Sequence, residues 1–138
     1  MKDDNCIFCK LANGDIPTST IYEDDCFRVI LDLGPATRGH CLILPKDHAE
    51  NLMTLSDAVA SRVLPLAGKL GCALMKTLNA KGFNVVQNNG ETAGQTVMHF
   101  HTHIIPRYGN DELLLWKPNK AEPEELDEIC RLMGDALQ

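Results

Sequence analysis

The chain has 138 residues, a formal net charge of −6, 44% hydrophobic and 23% charged residues. That balance predicts one soluble domain over residues 1–138. With no stretch that concentrates Lys or Arg, it speaks against a footprint on long nucleic acids. The polar start "MKDDNCIFCK" is not a secretory leader, and no apolar run approaches the roughly 20 residues of a membrane span. The expected compartment is therefore the cytoplasm, with no membrane partner.

The elements follow in order. "CIFCKLANG" reads as a short helix that stops near Gly14. "STIYEDD" and "CFRVILDL" are β-rich, and the acidic turn Glu23-Asp24-Asp25 between them predicts a hairpin. "GPATRG" is a loop, and "HCLILPKDH" a buried strand ending at Pro45. The main helix starts around Leu55-Ser56-Asp57. Val59, Val63, Leu66, Leu70, Leu74 and Leu78 recur in it at spacings of three and four, and Gly82 follows its end. Pro65 is expected to kink or break it. "GFNVVQN" is a strand, "NGETAGQT" a loop and "VMHFHTHIIPRY" a strand. The tail "KAEPEELDEICRLMGDAL" reads as a short helix with Pro123 in its first turn. The sum is an α+β fold: an antiparallel sheet of about five strands, one main helix, and short N- and C-terminal helices.

Six cysteines are present. Cys26, Cys41, Cys72 and Cys130 stand singly in apolar patterns and read as buried free thiols in a reducing compartment. Cys6 and Cys9 differ, because C-x-x-C is a metal or redox spacing.

Three of the five histidines, His99, His101 and His103, occupy alternate positions in "MHFHTHII". In a strand such positions share one face. At about 3.3 Å per residue, His99 and His103 stand roughly 13 Å apart. Metal–nitrogen bonds are near 2 Å, so one ion does not bind all three from a regular strand. The rings need different jobs. Histidine suits nucleophilic and acid/base chemistry near neutral pH.

"HFHTHII" resembles the His-x-His-x-His motif of the histidine triad family of nucleotide hydrolases and transferases. "NNGETAGQTVMHFHTHIIPR", "CIFCKLANGDIPTSTIYEDD" and "LGPATRGHCLILPKDH" extend the resemblance over residues 6–107, to bacterial Hint-like members. Thr102 departs from it, standing where the family usually has an apolar residue; its side chain faces away from the triad.

The resemblance implies the following roles. His101 is the nucleophile that attacks the α-phosphorus of a purine nucleotide and forms a nucleotidyl-histidine, which water resolves. A backbone carbonyl fixes its tautomer. His103 lies beside the phosphate, and His40 beside the active site. Gly94 allows close backbone approach, and the N–H groups around Gln95 and Thr96 face the phosphate. Thr96 contacts the leaving group and Asn88 the phosphate region. Asp32 accepts hydrogen bonds from the ribose hydroxyls. Ile7, Phe8 and Leu11, with Ile30 nearby, hold the base. Cys6, Cys9, His48 and His99 form a structural zinc site of the closed Cys₂His₂ kind. The resemblance also implies a homodimer.

Nucleoside phosphoramidates and dinucleoside polyphosphates stay open as substrates, and so does transfer to an acceptor other than water. A different class is a nucleotide-binding or interaction module with little turnover. A third reading makes the triad the ligands of a catalytic metal; strand geometry counts against it, and chelator sensitivity of turnover would reveal it.

Overall fold

The computed structural model describes residues 1–110 and 116–138. Its elements are α1 (Ile7–Ala12), β1 (Thr20–Glu23), β2 (Phe27–Leu31), β3 (Cys41–Pro45), α2 (Asp57–Leu78), β4 (Gly82–Val86), a 3₁₀ turn (Glu91–Ala93), β5 (Thr102–Arg107) and α3 (Pro123–Ala136). The five strands form one antiparallel sheet in the order β1-β2-β3-β5-β4. This is the α+β architecture expected from the sequence.

Alternation along the strands separates two apolar layers. Val29, Cys41, Ile43 and Ile104 point to one face and join Val63, Leu66, Leu70 and Leu74 of α2. Ile30, Leu42 and Leu44 point to the other face, against Phe8, Leu11 and Ala12 of α1. The side chain of Ser56 caps α2 by accepting from the Val59 N–H. By length and composition α2 is apolar enough to cross a membrane. Polar residues interrupt its apolar stripe, and that stripe packs on the sheet.

Several expectations need correction. The helix α2 does not end at Pro65 but continues to Leu78. Pro65 sits on the exposed side, where its missing N–H costs one bond without opening the core. The helix stops at Asn79, which takes the left-handed conformation (φ 60°), and Gly82 already belongs to β4. The expected strand over 97–108 is shorter, because β5 begins only at Thr102. Before it, the Phe100 N–H bonds the Ala49 carbonyl outside any ladder. All six cysteines are free, yet Cys72 and Cys130 are exposed rather than buried. Cys72 lies on the outer side of α2. Among the described residues, α3 packs against no other element and leaves Cys130 uncovered.

One close approach fixes the α2–β4 packing. A Cβ on Gly71 would stand 2.1 Å from the Phe83 ring, so only glycine fits there.

Candidate active site

A cleft of about 810 Å³ opens on the α1 side of the sheet, a volume suited to a small organic ligand. Ile7, Phe8 and Leu11 line it from α1, Ile30 and Asp32 from β2 and its end, and Thr96, His101 and His103 from the other side. Its composition is that of a binding site: mostly apolar walls with a few polar groups at one end.

The triad histidines divide between two sites. His103 is the second residue of β5, in register with Leu42, and so shares the α1 face. His101 and His103 lie side by side, with ring centroids 5.1 Å apart. His101 is 7% exposed. Its Nδ1 stands 2.7 Å from the His99 carbonyl oxygen. A carbonyl only accepts, so Nδ1 carries the proton and Nε2 keeps the lone pair. The Phe8 and His101 rings pack perpendicular to each other, at 90° with centroids 4.9 Å apart, which restricts rotation of the imidazole.

His40 stands at the mouth of β3. Its Nδ1 accepts the Ala36 N–H at 2.9 Å, and its Nε2 lies 2.9 Å from His103 Nδ1 and 3.5 Å from Asp32 Oδ2. Burial pushes the His40 pKa down, partly offset by the Asp32 carboxylate. Burial also pushes His103 down to about 4, reinforced by His101 and His40. Both rings are therefore neutral near pH 7. The other Asp32 oxygen, Oδ1, accepts the Gly34 N–H at 2.8 Å.

His99 turns away from the cleft. It is fully buried, and its Nε2–H donates to the Pro45 carbonyl at 2.9 Å. The lone pair is thereby left on Nδ1, which faces Cys6 Sγ and Cys9 Sγ at 3.4 Å each and His48 Nδ1 at 3.3 Å. Cys9 Sγ lies 3.5 Å from His48 Nδ1. Donors around a tetrahedral zinc, with Zn–S near 2.3 Å and Zn–N near 2.0 Å, stand roughly 3.3–3.8 Å apart. Cys6, Cys9, His48 and His99 fit that ion in both donor type and spacing. Burial pushes the Cys9 thiol up, but the Asp3 N–H points at Cys9 Sγ and the Cys9 N–H at Cys6 Sγ. The Asp3 bond favours the Cys9 thiolate. Bound zinc would supply the positive charge that holds both cysteines deprotonated.

The loop before β5 spends the Gln95 donors on backbone carbonyls. The Gln95 side chain is buried; it accepts the Gly90 N–H and donates to the Glu50 and Val97 carbonyls. The Gln95 N–H bonds the Gly90 carbonyl. Gln95 therefore has no donor free for a phosphate, because it is spent holding the loop closed. Gly94 takes a positive φ of 98° and lies against the Asn88 amide. Neither Gly94 nor Asn88 lines the cleft, whereas Thr96 does.

Ile16, Pro17, Thr18 and Ser19 complete the cleft wall. Sequence reading missed them. Their signal was the stretch "IPTS", which links the α1 stop to β1.

Comparison with known proteins now decides the family. The model of the HIT domain matches residues 13–110. The chain belongs to the HIT family. It is 41% identical to the protein hit of Bacillus subtilis over 97% of this chain and 95% of that one. It is 40% identical to adenosine 5'-monophosphoramidase hnt1 of Schizosaccharomyces pombe over 88% and 90% of the two chains. A zinc-bound histidine triad family protein from Mycobacterium smegmatis superimposes with a TM-score of 0.75 at 33% identity, covering 96% of this chain and 97% of that chain. As a HIT protein, the chain carries the family's motif histidines at His99, His101 and His103.

Proposed function

We propose that this HIT protein is a hydrolase that cleaves at the α-phosphate of a purine nucleotide, with nucleoside phosphoramidates as its preferred class. The observation that carries the reading is the His101–His99 contact: Nδ1–H is spent on the carbonyl at 2.7 Å, and the ring lines the cleft with Nε2 unprotonated. That is the form of imidazole needed by a nucleophile. The likeness to the fission-yeast phosphoramidase supports the substrate class.

In this reading the base lies among Ile7, Phe8, Leu11 and Ile30, and the ribose hydroxyls donate to Asp32. His101 Nε2 attacks phosphorus while the bond to the leaving nitrogen breaks, and the amine departs with a proton taken up from the site. Thr96 offers its hydroxyl on the leaving side. His103 stabilises the phosphoryl oxygens as a donor. Water then attacks phosphorus and the phosphorus–Nε2 bond breaks; the water oxygen stays on the nucleoside monophosphate, its released proton replaces the one the amine carried off, and His101 is regenerated. Zinc on Cys6, Cys9, His48 and His99 would be structural, pinning α1 to the start of the triad segment. The zinc-bound relative supports this assignment.

Steady-state release of AMP from adenosine phosphoramidate tests the activity. Turnover by the parent and at least a thousandfold less by His101→Ala is expected. Equal rates in both would reject His101 as the nucleophile.

A further inference from the structure

His40 has one proton to give and two acceptors to give it to. Its Nδ1 accepts the Ala36 N–H, so the proton of the neutral ring sits on Nε2. That nitrogen faces His103 Nδ1 at 2.9 Å and Asp32 Oδ2 at 3.5 Å. The two acceptors also face each other across one small cluster. Asp32 Oδ1 accepts the Gly34 N–H, Oδ2 is the oxygen turned to His40, and the same carboxylate lines the cleft.

We infer that occupancy of Asp32 by the ribose hydroxyls commits the His40 proton to His103, so that sugar recognition sets the hydrogen-bond polarity of the phosphate-facing ring. This inference rests on the nucleotide-hydrolase reading and deepens it.

The physical steps are short. With Asp32 free, Oδ2 competes for the Nε2–H of His40. When the carboxylate takes that proton contact, His103 Nδ1 loses its donor, and His103 becomes free to move its own proton to Nδ1. Its Nε2 would then present a lone pair to the phosphate, which repels. Sugar hydroxyls that donate to the Asp32 carboxylate draw charge from Oδ2 and weaken its pull on the His40 proton. The His40 proton then holds His103 Nδ1 as an acceptor, and His103 Nε2–H is set as a donor. The coupling must be reciprocal: a phosphoryl group that prefers the donor form also favours the sugar-bound state. His40 is thus a positioning residue that acts through His103. It distinguishes ribonucleoside substrates at the catalytic step as well as in binding.

The residue type matters to this scheme. A glutamine amide carries two N–H groups and can serve Asp32 and His103 at once. His40→Gln should keep His103 oriented while removing the competition. His40→Ala removes both contacts.

The test compares adenosine phosphoramidate with its 2′,3′-dideoxy analogue on the zinc-loaded full chain. In the parent, the dideoxy substrate should lose about tenfold or more in kcat, beyond its effect on KM. In His40→Gln the kcat ratio between the two substrates should fall toward one. A parent penalty confined to KM, or an unchanged kcat ratio in His40→Gln, would overturn the inference while leaving the hydrolase reading intact. Failure of the parent to turn over the ribose substrate would overturn the hydrolase reading itself and the inference with it. A variant-free readout covers the case in which His40→Gln does not fold. In ¹⁵N spectra of the parent, adenosine should drive His103 to its Nε2–H tautomer, and 2′,3′-dideoxyadenosine should not; identical spectra with both ligands would reject the coupling.

Discussion

The carbonyl oxygen of His99 and Nδ1 of His101 stand 2.7 Å apart, so the residue that faces the Cys₂His₂ cluster with its ring fixes the cleft histidine with its backbone. Side chain and carbonyl are separable by mutation. His99→Ala keeps the carbonyl and loses the ring. It should abolish stoichiometric zinc and lower the melting temperature by several degrees or more. The kcat of the folded fraction should fall much less than in His101→Ala. Metal analysis, calorimetry and AMP release check this together. A His99→Ala protein with full zinc content would contradict the ligand set.

Thr102 carries a cost that can be removed. Its side chain is buried, and among the described residues its hydroxyl has no hydrogen-bond partner. It lies in register with Ile43, on the layer facing α2. Thr102→Val keeps the shape and removes the unsatisfied group. It should raise stability by about 1 kcal/mol, read as a higher urea midpoint at unchanged slope. A lower midpoint would show that the hydroxyl has a role in the fold.

Gly71 and Phe83 make the opposite case. Gly71→Ala places a methyl carbon inside contact distance of the ring and should destabilise by roughly 1–3 kcal/mol, against the usual gain for alanine in a helix. Combining it with Phe83→Leu should cost less than the sum of the two single changes. Strict additivity, measured by denaturant unfolding, would contradict direct contact.

The pH dependence has a definite sign. His103 is held neutral, with its pKa at about 4, chiefly by burial, against an ordinary value of about 6.5 in the unfolded chain. Between those values the unfolded state binds more protons, so this contribution to stability is complete above about pH 6.5 and is lost as pH falls toward 4. His103→Asn should flatten that part of the stability curve. An unchanged slope between pH 4 and 6.5 would show that another group accounts for it, such as His99, which burial also pushes down to about 4.

What the sequence made legible was what local chemistry alone can state. β-rich and apolar runs placed β2 and β3, and the stripe from Val63 to Leu74 placed α2. The Cys6-x-x-Cys9 spacing pointed to metal or redox chemistry, and the family resemblance chose zinc between them. What stayed hidden depends on contacts distant in the chain. The triad segment is not strand at His99 and His101, since the Phe100 N–H between them bonds the Ala49 carbonyl outside the ladder. Gln95 looked like a phosphate donor because glycine and threonine flank it, but its amide is spent on Gly90, Glu50 and Val97. Nothing in the order of residues shows that the Ala36 N–H would reach His40. The exposed Leu126, Ile129 and Met133 of α3 read as one apolar side of a helix, and period alone does not say what such a side packs against.

The central claim is that His101 becomes covalently nucleotidylated. Intact-protein mass spectrometry after a rapid quench, with adenosine phosphoramidate as substrate, tests it most directly. A transient mass increase of one AMP on the parent, absent from His101→Ala, is the predicted result. The same adduct on His101→Ala, or AMP release with inversion at phosphorus and no adduct at any time, would contradict it.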